Sequence, residues 1–253
     1  MIRRLAILLA AMVACTTPAM AERVVAGLSR DAISITTNFE GSEILIFGAV
    51  SREAPAPEGA PLEVIITVEG PSRPVTVRRK ERRFGIWVNT DAADVDSAPT
   101  FYAVASTSPM AIALTQTEDL RHRISIPRAI RAVGVDVGDL SNFTDALIRL
   151  RMNERLYQLN EGAVTLRDDT LFDTSIRLPA NLTEGDYRTR IFLTRDGEVI
   201  DAFETDIAVR KVGLERLIYN LAHQQPLVYG ILSLIIAIAA GWGASAAFRF
   251  LRS

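Results

Sequence analysis

Residues 187–209 read "YRTRIFLTRDGEVIDAFETDIAV", and this stretch decides the fold class. Two runs rich in strand-forming residues flank Asp196-Gly197, a pair that favours a tight two-residue turn. The stretch therefore predicts a long β-hairpin from Tyr187 to Val209. Further strands are indicated just upstream by "VTL" at 164–166 and by the alternation of Phe172, Thr174, Ile176 and Leu178.

The N-terminal half shows the same period of two. Candidate strands lie at 22–27, 31–37, 42–50, 62–69, 74–79, 83–88 and 100–107. In the sixth, Phe84, Ile86 and Val88 alternate with polar or small neighbours and Trp87, so we expect them to face a core. Seven short strands within about 90 residues are typical of an immunoglobulin-like β-sandwich. The Pro-, Ala- and acid-rich segments 52–61 and 90–99 are predicted to be exposed loops.

Residues 141–159, "SNFTDALIRLRMNERLYQL", change to a helical period. Their apolar residues fall on one side of a helix, and Asn142 is a suitable N-cap. The sequence thus predicts an amphipathic helix between the first set of strands and a second, smaller β unit. Four strands are few for an independent sheet domain, so the second unit is expected to pack on this helix or on the first domain.

The C-terminal residues 226–253 read "PLVYGILSLIIAIAAGWGASAAFRFLRS" and differ in kind from the rest of the chain. No charge occurs from Leu227 to Phe248, and a helix of this length covers about 33 Å against a hydrocarbon core of about 30 Å. This pattern predicts one transmembrane helix. The segment from Lys211 to His223 is predicted to be a helical stem that is interrupted at Pro226.

The N-terminus has the pattern of a secretory signal peptide. Arg3 and Arg4 precede an apolar run, and Ala19-Met20-Ala21 is a small-residue cleavage site that would leave Glu22 as the first mature residue. Cleavage before Cys15, as in a lipoprotein, and a retained N-terminal helix are less favoured alternatives. With Arg249 and Arg252 after the span, the positive-inside rule places the C-terminus in the cytoplasm and the bulk of the chain in the periplasm.

These signals predict the following organisation. The segments are a signal peptide (1–21), a β-sandwich domain (22–117), a connector with the amphipathic helix (118–160), a second β unit (161–211), a juxtamembrane stem (212–226), a transmembrane helix (227–248) and a cytoplasmic tail (249–253).

Few residues offer chemistry. The single cysteine is lost with the signal, and His122 and His223 stand far apart without partners at metal-ligand spacing. No nucleophile, phosphate-loop or zinc motif occurs, and the acidic pairs Asp168-Asp169 and Asp94-x-Asp96 are typical of solvated turns. The formal net charge of −2 disfavours a nucleic-acid binder. The sequence thus predicts a protein that is not an enzyme and has no cofactor or metal.

Two features are candidate contact sites. The segment "VRRKERRFGIW" at 77–87 concentrates positive charge, and arginine forks bind anions well. The alternative is a solvated hairpin end that protects a sheet edge. Its candidate partner or anion contacts are Arg78, Arg79, Lys80, Arg82 and Arg83. In the span, rows of small residues around Gly241, Gly243 and Ser245 are spaced for close packing with another helix.

Four segments carry a resemblance to a known family: "ERVVAGLSRDAISITTNFEGSEILIFGAV", "RRKERRFGIWVN", "LPANLTEGDYRTRIFLTRDGEVI" and the C-terminal "KVGLERLIYNLAHQQPLVYGILSLIIAIAAGWGASAAF". They resemble the alphaproteobacterial transmembrane protein family Alph_Pro_TM over nearly the whole mature chain. The resemblance implies a bacterial inner-membrane protein. It also carries an association with sulfite-exporter-type permeases, which no residue of this chain indicates by itself.

Three functional hypotheses follow. The favoured one is a membrane-anchored periplasmic accessory or interaction subunit, with an inner-membrane protein or a second copy of the chain as partner through the span. The second is a tethered binding module for an anionic envelope ligand, contacted by residues 78–83. The third and least favoured is a tethered hydrolase, whose catalytic residues would have to be dispersed along the chain.

Overall fold

The computed structural model describes residues 22–36, 39–52, 59–132, 137–211 and 214–251. The predicted signal peptide and part of the 52–61 segment lie outside the described residues. Within the described ranges the chain is mainly β with one long apolar helix near the C-terminus, as predicted.

The strands follow the predicted positions closely in most of the chain. They are β1 (Arg23–Leu28), β2 (Ala32–Ile35), β3 (Ser42–Ser51), β4 (Leu62–Glu69), β5 (Ser72–Arg83), β6 (Ile86–Pro99), β7 (Tyr102–Ser106), β8 (Tyr157–Glu161), β9 (Thr165–Arg167), β10 (Leu171–Leu178), β11 (Gly185–Arg195) and β12 (Glu198–Lys211).

Apart from the last helix, the described helices together contain fewer residues than the strands. They are α1 (Met110–Ala113), α2 (Gln116–His122), α3 (Ile126–Ala129), α4 (Val137–Asn153), α5 (Leu214–Gln224) and α6 (Pro226–Leu251).

The strands form two large sheets and one separate hairpin. Sheet A has the order β1-β3-β10-β9 and is antiparallel throughout. Sheet B has the order β2-β12-β11-β4-β7-β8, with parallel pairs at its two ends. Strands of the two predicted β units are therefore paired with one another in both sheets: β10 with β3, and β11 with β4.

The hydrophobic core lies between the two sheets. The β1 strand contacts β11 and β12, and β10 contacts β7, so sheet A packs on sheet B. The opposite face of sheet B is covered by the short helices, since α1 contacts β4 and α3 contacts β7. Because β4 is covered on both faces, its residues Val64, Ile65 and Ile66 are all fully buried.

The predicted hairpin of residues 187–209 is confirmed as β11 and β12. Its turn is Asp196-Gly197, with φ of +52° and +75°. Two positive φ values are what a type I′ turn requires, and its twist matches that of the flanking strands. The local signal that decided the fold class is thus found at the centre of sheet B.

Two predictions in the middle of the chain were wrong. Residues 90–99, predicted as a loop, belong to β6, because they pair with β5 and bury Val95 and Ala98. The amphipathic helix begins at Val137 and ends at Asn153, so Asn142 is inside it rather than at its N-cap. Arg155, at φ +60°, turns the chain into β8, which gains a full parallel ladder with β7.

Candidate functional site

The β5–β6 hairpin stands apart from both sheets and is the candidate site. Its two strands pair only with each other among the described strands. The half nearest the body is held by α4, which contacts both strands. Val77 and Val95 are buried there, and the Arg79 guanidinium lies 4.9 Å from the centre of the Phe143 ring. The body half of the hairpin is thus fixed, and its far half extends beyond the helix.

The neck of the hairpin continues a ladder of sheet B. Glu69 of β4 pairs with Tyr102 of β7, and Ser72 of β5 pairs with Pro99 of β6 without any slip in register. Between these pairs, the Gly70 amide donates to the Phe101 carbonyl at 2.8 Å. The β4–β7 pair and the β5–β6 pair therefore form one long two-stranded ribbon that leaves sheet B at the end where β4 ends.

The tip of the hairpin is apolar and exposed to solvent. Phe84 and Gly85 form the turn, with φ of +50° and +87°. Relative to a fully exposed reference, Phe84 is 106% accessible, Ile86 64% and Trp87 68%. The sequence pattern had placed Phe84 and Ile86 on a core face, which is wrong because their strand ends in a turn with no second sheet behind it. Sequence reasoning did not identify the pair Phe84-Gly85 as a turn.

The five predicted basic contacts do not lie on one face of the hairpin. Because side chains alternate along a strand, Arg78, Lys80 and Arg82 share one exposed face, and Trp87 lies on it opposite Arg82. Among the described residues, no ion pair involves Arg78, Lys80 or Arg82. This face therefore combines three exposed cations with one exposed indole.

The other two predicted contacts lie on the opposite face of the hairpin. Arg79 packs over Phe143 and lies 3.6 Å from the Asp91 carboxylate, so it has a structural contact. Arg83 lies 3.4 Å from the Glu81 carboxylate. Arg79, which the sequence predicted as a partner or anion contact, thus packs against residues of the protein itself.

The transmembrane helix prediction is supported in the structure. The segment Pro226–Ser245 of α6 is long and apolar enough to cross a membrane, and none of it is buried against the rest of the protein. Gly241 and Gly243 have open space where a Cβ would be. At 100° per residue these two glycines lie about 200° apart, so their two rows of small residues occupy opposite sides of the helix.

The histidines have structural surroundings. His122 lies edge-on to Phe192, with its Nε2 3.4 Å from a Glu118 oxygen. His223 stacks on Tyr219 in the stem helix. In the part of the chain that the structure describes, no group of three His, Cys, Asp or Glu side chains could hold a metal ion.

The acidic pairs named from the sequence lie in separate places. Asp168 and Asp169 form the turn between β9 and β10, both with positive φ. Asp94 lies in β6, where it accepts a hydrogen bond from the Thr76 hydroxyl at 2.7 Å. Each is thus placed in a local turn or strand contact.

Glu22 and Tyr187 are among the groups whose pKa values are shifted by their surroundings. Burial raises the pKa of Glu22, but hydrogen bonds from Arg52 and Arg195 outweigh it and hold the pKa of Glu22 below its usual range. Burial raises the pKa of Tyr187 to about 12, and its hydroxyl donates to the Thr183 carbonyl.

A groove of about 820 Å³ lies beside β8, between the edge of sheet B and the ends of β3 and β10. Glu40, Glu43, Arg155 and Arg177 line it, so its charges have both signs. Gln158 donates to the backbone carbonyls of Arg155 and Arg177 and joins its two sides. Sequence reasoning did not identify this groove, because its residues come from three distant segments.

The geometry defines a class of protein: a membrane-anchored, mainly β body with one candidate transmembrane helix near its C-terminus. The chain belongs to the family described as "Putative transmembrane protein (Alph_Pro_TM)", which matches residues 23–250. The resemblance seen in the sequence is thereby confirmed.

No curated protein matches the chain. Among solved structures, the crystal structure of Spo0M, a sporulation control protein from Bacillus subtilis, is similar to this chain. The alignment covers 81% of this chain and 56% of the Spo0M chain. The chain thus spans little more than half of that protein. The sequence identity is 11% and the TM-score is 0.27, so this similarity carries no argument.

Proposed function

We propose that the protein is a non-enzymatic accessory or interaction subunit of an inner-membrane system, with its β body in the periplasm. The carrying observation is that α6 is separate from the body's core. The sheets bury their own apolar faces, and the whole apolar segment Pro226–Ser245 is left uncovered. A helix with both small-residue sides open is available to helices of other membrane proteins.

The periplasmic orientation is supported by sequence features at both ends. The signal-like N-terminus and the arginines at 249 and 252 both favour export of the body. A cysteine introduced at an exposed body position, such as Ser72→Cys in a Cys15→Ser background, should react with a membrane-impermeant maleimide in intact spheroplasts. Labelling only after lysis would contradict the periplasmic placement.

The interaction role can be tested on the span itself. A leucine at Gly241 fills the row of Ala237, Gly241 and Ser245, and a leucine at Gly243 fills the row on the opposite side. A single partner helix contacts only one side. We therefore expect one of the variants Gly241→Leu and Gly243→Leu to lose the complex while the other keeps it as a matched control.

The measurement is the size of the complex in mild detergent, followed by identification of the cross-linked partner in native membranes. A second copy of this chain as partner would make the protein a homo-oligomer, and a different membrane protein would make it an accessory subunit. If both variants keep the wild-type complex size, packing through these rows is refuted.

The second candidate function, binding of an anionic ligand, is favoured by one observation. Arg78, Lys80 and Arg82 are exposed together on one face of the hairpin. Arginine forks suit phosphate-like groups on an envelope polymer or lipid. Salt-sensitive retention of the full-length protein on anionic envelope material, lost in Lys80→Glu/Arg82→Glu, is the result that this function requires.

A further inference from the structure

The β5–β6 hairpin and the chain that leads to the stem both leave sheet B at the same end. The β4 strand is antiparallel to β11, and β11 is antiparallel to β12, so β4 and β12 run the same way. The chain leaves β4 into the hairpin after Glu69 and leaves β12 toward the stem after Lys211. Both exits therefore lie at the same end of sheet B.

The lengths of the two extensions let the hairpin reach the bilayer. With twelve residues in β5, the hairpin extends about 40 Å from the sheet at about 3.4 Å per residue. The stem helix α5 has 11 residues and spans about 16 Å at 1.5 Å per residue. Because the hairpin is longer than the stem, its tip lies at the membrane surface at which α6 begins when the hairpin is tilted from the membrane normal.

The side chains of the tip match the depth profile of a bilayer interface. Phe84, Ile86 and Trp87 are exposed at the end, and aromatic rings of this kind prefer the boundary between headgroups and acyl chains. Lys80 lies four residues before Phe84, about 13 Å back along the strand. The headgroup region on one side of a bilayer is about 5–8 Å thick, so the cations around Lys80 and Arg82 lie at or just above the phosphates.

The charge along the hairpin is also polarised. Residues 78–83 contain five basic side chains and one acid. Of the acids of β6, Asp94 and Asp96 lie nearer the body, and Asp91 lies opposite Arg79 at the inner end of this segment. A surface of anionic phospholipid attracts the basic end, with about 1 kcal/mol for each Lys or Arg near it. The apolar tip and the basic residues 78–83 thus favour the same ligand, a surface of anionic phospholipid.

We propose that this hairpin tip inserts into the interface of an anionic phospholipid bilayer, the one that α6 crosses. The body is then held at two points, by the span and by the tip. This inference does not depend on a protein partner for α6. It assigns the exposed Phe84, Ile86 and Trp87 a lipid environment in place of water.

The chain offers a direct probe, because it contains two tryptophans, Trp87 at the tip and Trp242 in α6. In a Trp242→Phe variant of the full-length protein, Trp87 becomes the single fluorophore. The variant is reconstituted in vesicles of phosphatidylcholine alone or with phosphatidylglycerol, with bromine atoms on the acyl chains near the headgroup. We expect bromine quenching and protection from aqueous acrylamide in the anionic vesicles.

Charge variants separate the tip from general electrostatics. Lys80→Glu/Arg82→Glu reverses two cations at the tip, and Arg73→Glu/Arg149→Glu reverses two exposed cations away from it as the matched control. The tip variant should lower the ratio of docked to free tip by roughly tenfold or more. The control should leave quenching close to that of the parent. Thermal unfolding of both variants checks that the fold is intact.

Three results would overturn the proposal. The first is Trp87 that stays open to acrylamide and unquenched by brominated lipid in both kinds of vesicle. The second is equal quenching with and without phosphatidylglycerol, which would show that the tip does not require anionic lipid. The third is protection of Trp87 in native membranes but not in pure lipid, which would assign the tip to a protein instead.

Discussion

Replacement of Glu22 by glutamine should destabilise the β body by about 2–3 kcal/mol. The Glu22 carboxylate accepts hydrogen bonds from Arg52 Nε at 2.6 Å and from Arg195 Nη2 at 3.0 and 2.9 Å. The three side chains are only 6%, 14% and 16% exposed. Arg52 follows β3 in sheet A and Arg195 ends β11 in sheet B, so one carboxylate joins the two sheets at the end far from the stem.

The magnitude follows from what glutamine leaves behind. It keeps the shape of the side chain but removes the negative charge opposite two guanidinium groups. Breaking a buried ion pair costs about 3–5 kcal/mol, and hydrogen bonds to charged groups contribute about 1.5–3 kcal/mol. Arg52 and Arg195 also donate to the carbonyls of Asp169 and Ala60, which retain part of their stabilisation. The expected loss of about 2–3 kcal/mol therefore lies just below the first range and within the second.

The pH dependence gives the sharper test. Because the pKa of folded Glu22 is lowered from its ordinary value of 4.5, its contribution is present above that value. It is lost as the pH falls through the lower pKa of the folded state, where the carboxylate is protonated. The difference between wild type and Glu22→Gln should therefore be full at pH 7 and shrink at acidic pH below 4.5.

The assay is urea unfolding of the full-length protein in mild detergent, followed by circular dichroism of the sheets at several pH values. Glu204→Gln is the matched control, since Glu204 and its partner Arg188 are both more than half exposed and their pair contributes about 0–1 kcal/mol. If Glu22→Gln unfolds like Glu204→Gln at pH 7, or if its deficit does not change with pH, the argument is refuted.

Three smaller perturbations test other parts of the fold by the same unfolding measurement. Tyr102→Phe removes a hydroxyl that donates to the Ile124 carbonyl at 2.8 Å and should cost about 1–2 kcal/mol, because that buried acceptor is left unpaired. Thr115→Ala removes the N-cap of α2 and should cost about 1 kcal/mol; a change within error would contradict the capping role. Gly85→Ala places a side chain at φ +87° in the hairpin turn and should cost about 1 kcal/mol without changing Trp242 fluorescence.

The short helices show what a closer reading of the sequence could have found. Thr115 and Glu118 form the Ser/Thr-x-x-Glu pattern of a capping box at the start of α2, and the Thr115 side chain accepts from the Glu118 amide. This signal is local and was present in the sequence. The ion cluster around Glu22 had no such signal, because its members are separated by up to 173 positions.

The sequence by itself determined the elements that depend on neighbouring residues. The Asp196-Gly197 turn, the alternating strands and the uncharged run from Leu227 to Phe248 all follow from local backbone preference or from the thickness of a bilayer. These signals were sufficient for the class of protein. They were also sufficient for its attachment to a membrane.

Only the tertiary structure decided which strands pair and which side chains stay exposed. A period of two says that a strand has two different faces, but it does not say which distant strand lies beside it. Thus β10 joins β3, β11 joins β4, and residues 90–99 become a strand because β5 and α4 cover them. Phe84 and Ile86 have the pattern of core residues, yet they remain at the hairpin tip, because burial depends on a second surface and no sheet lies opposite them.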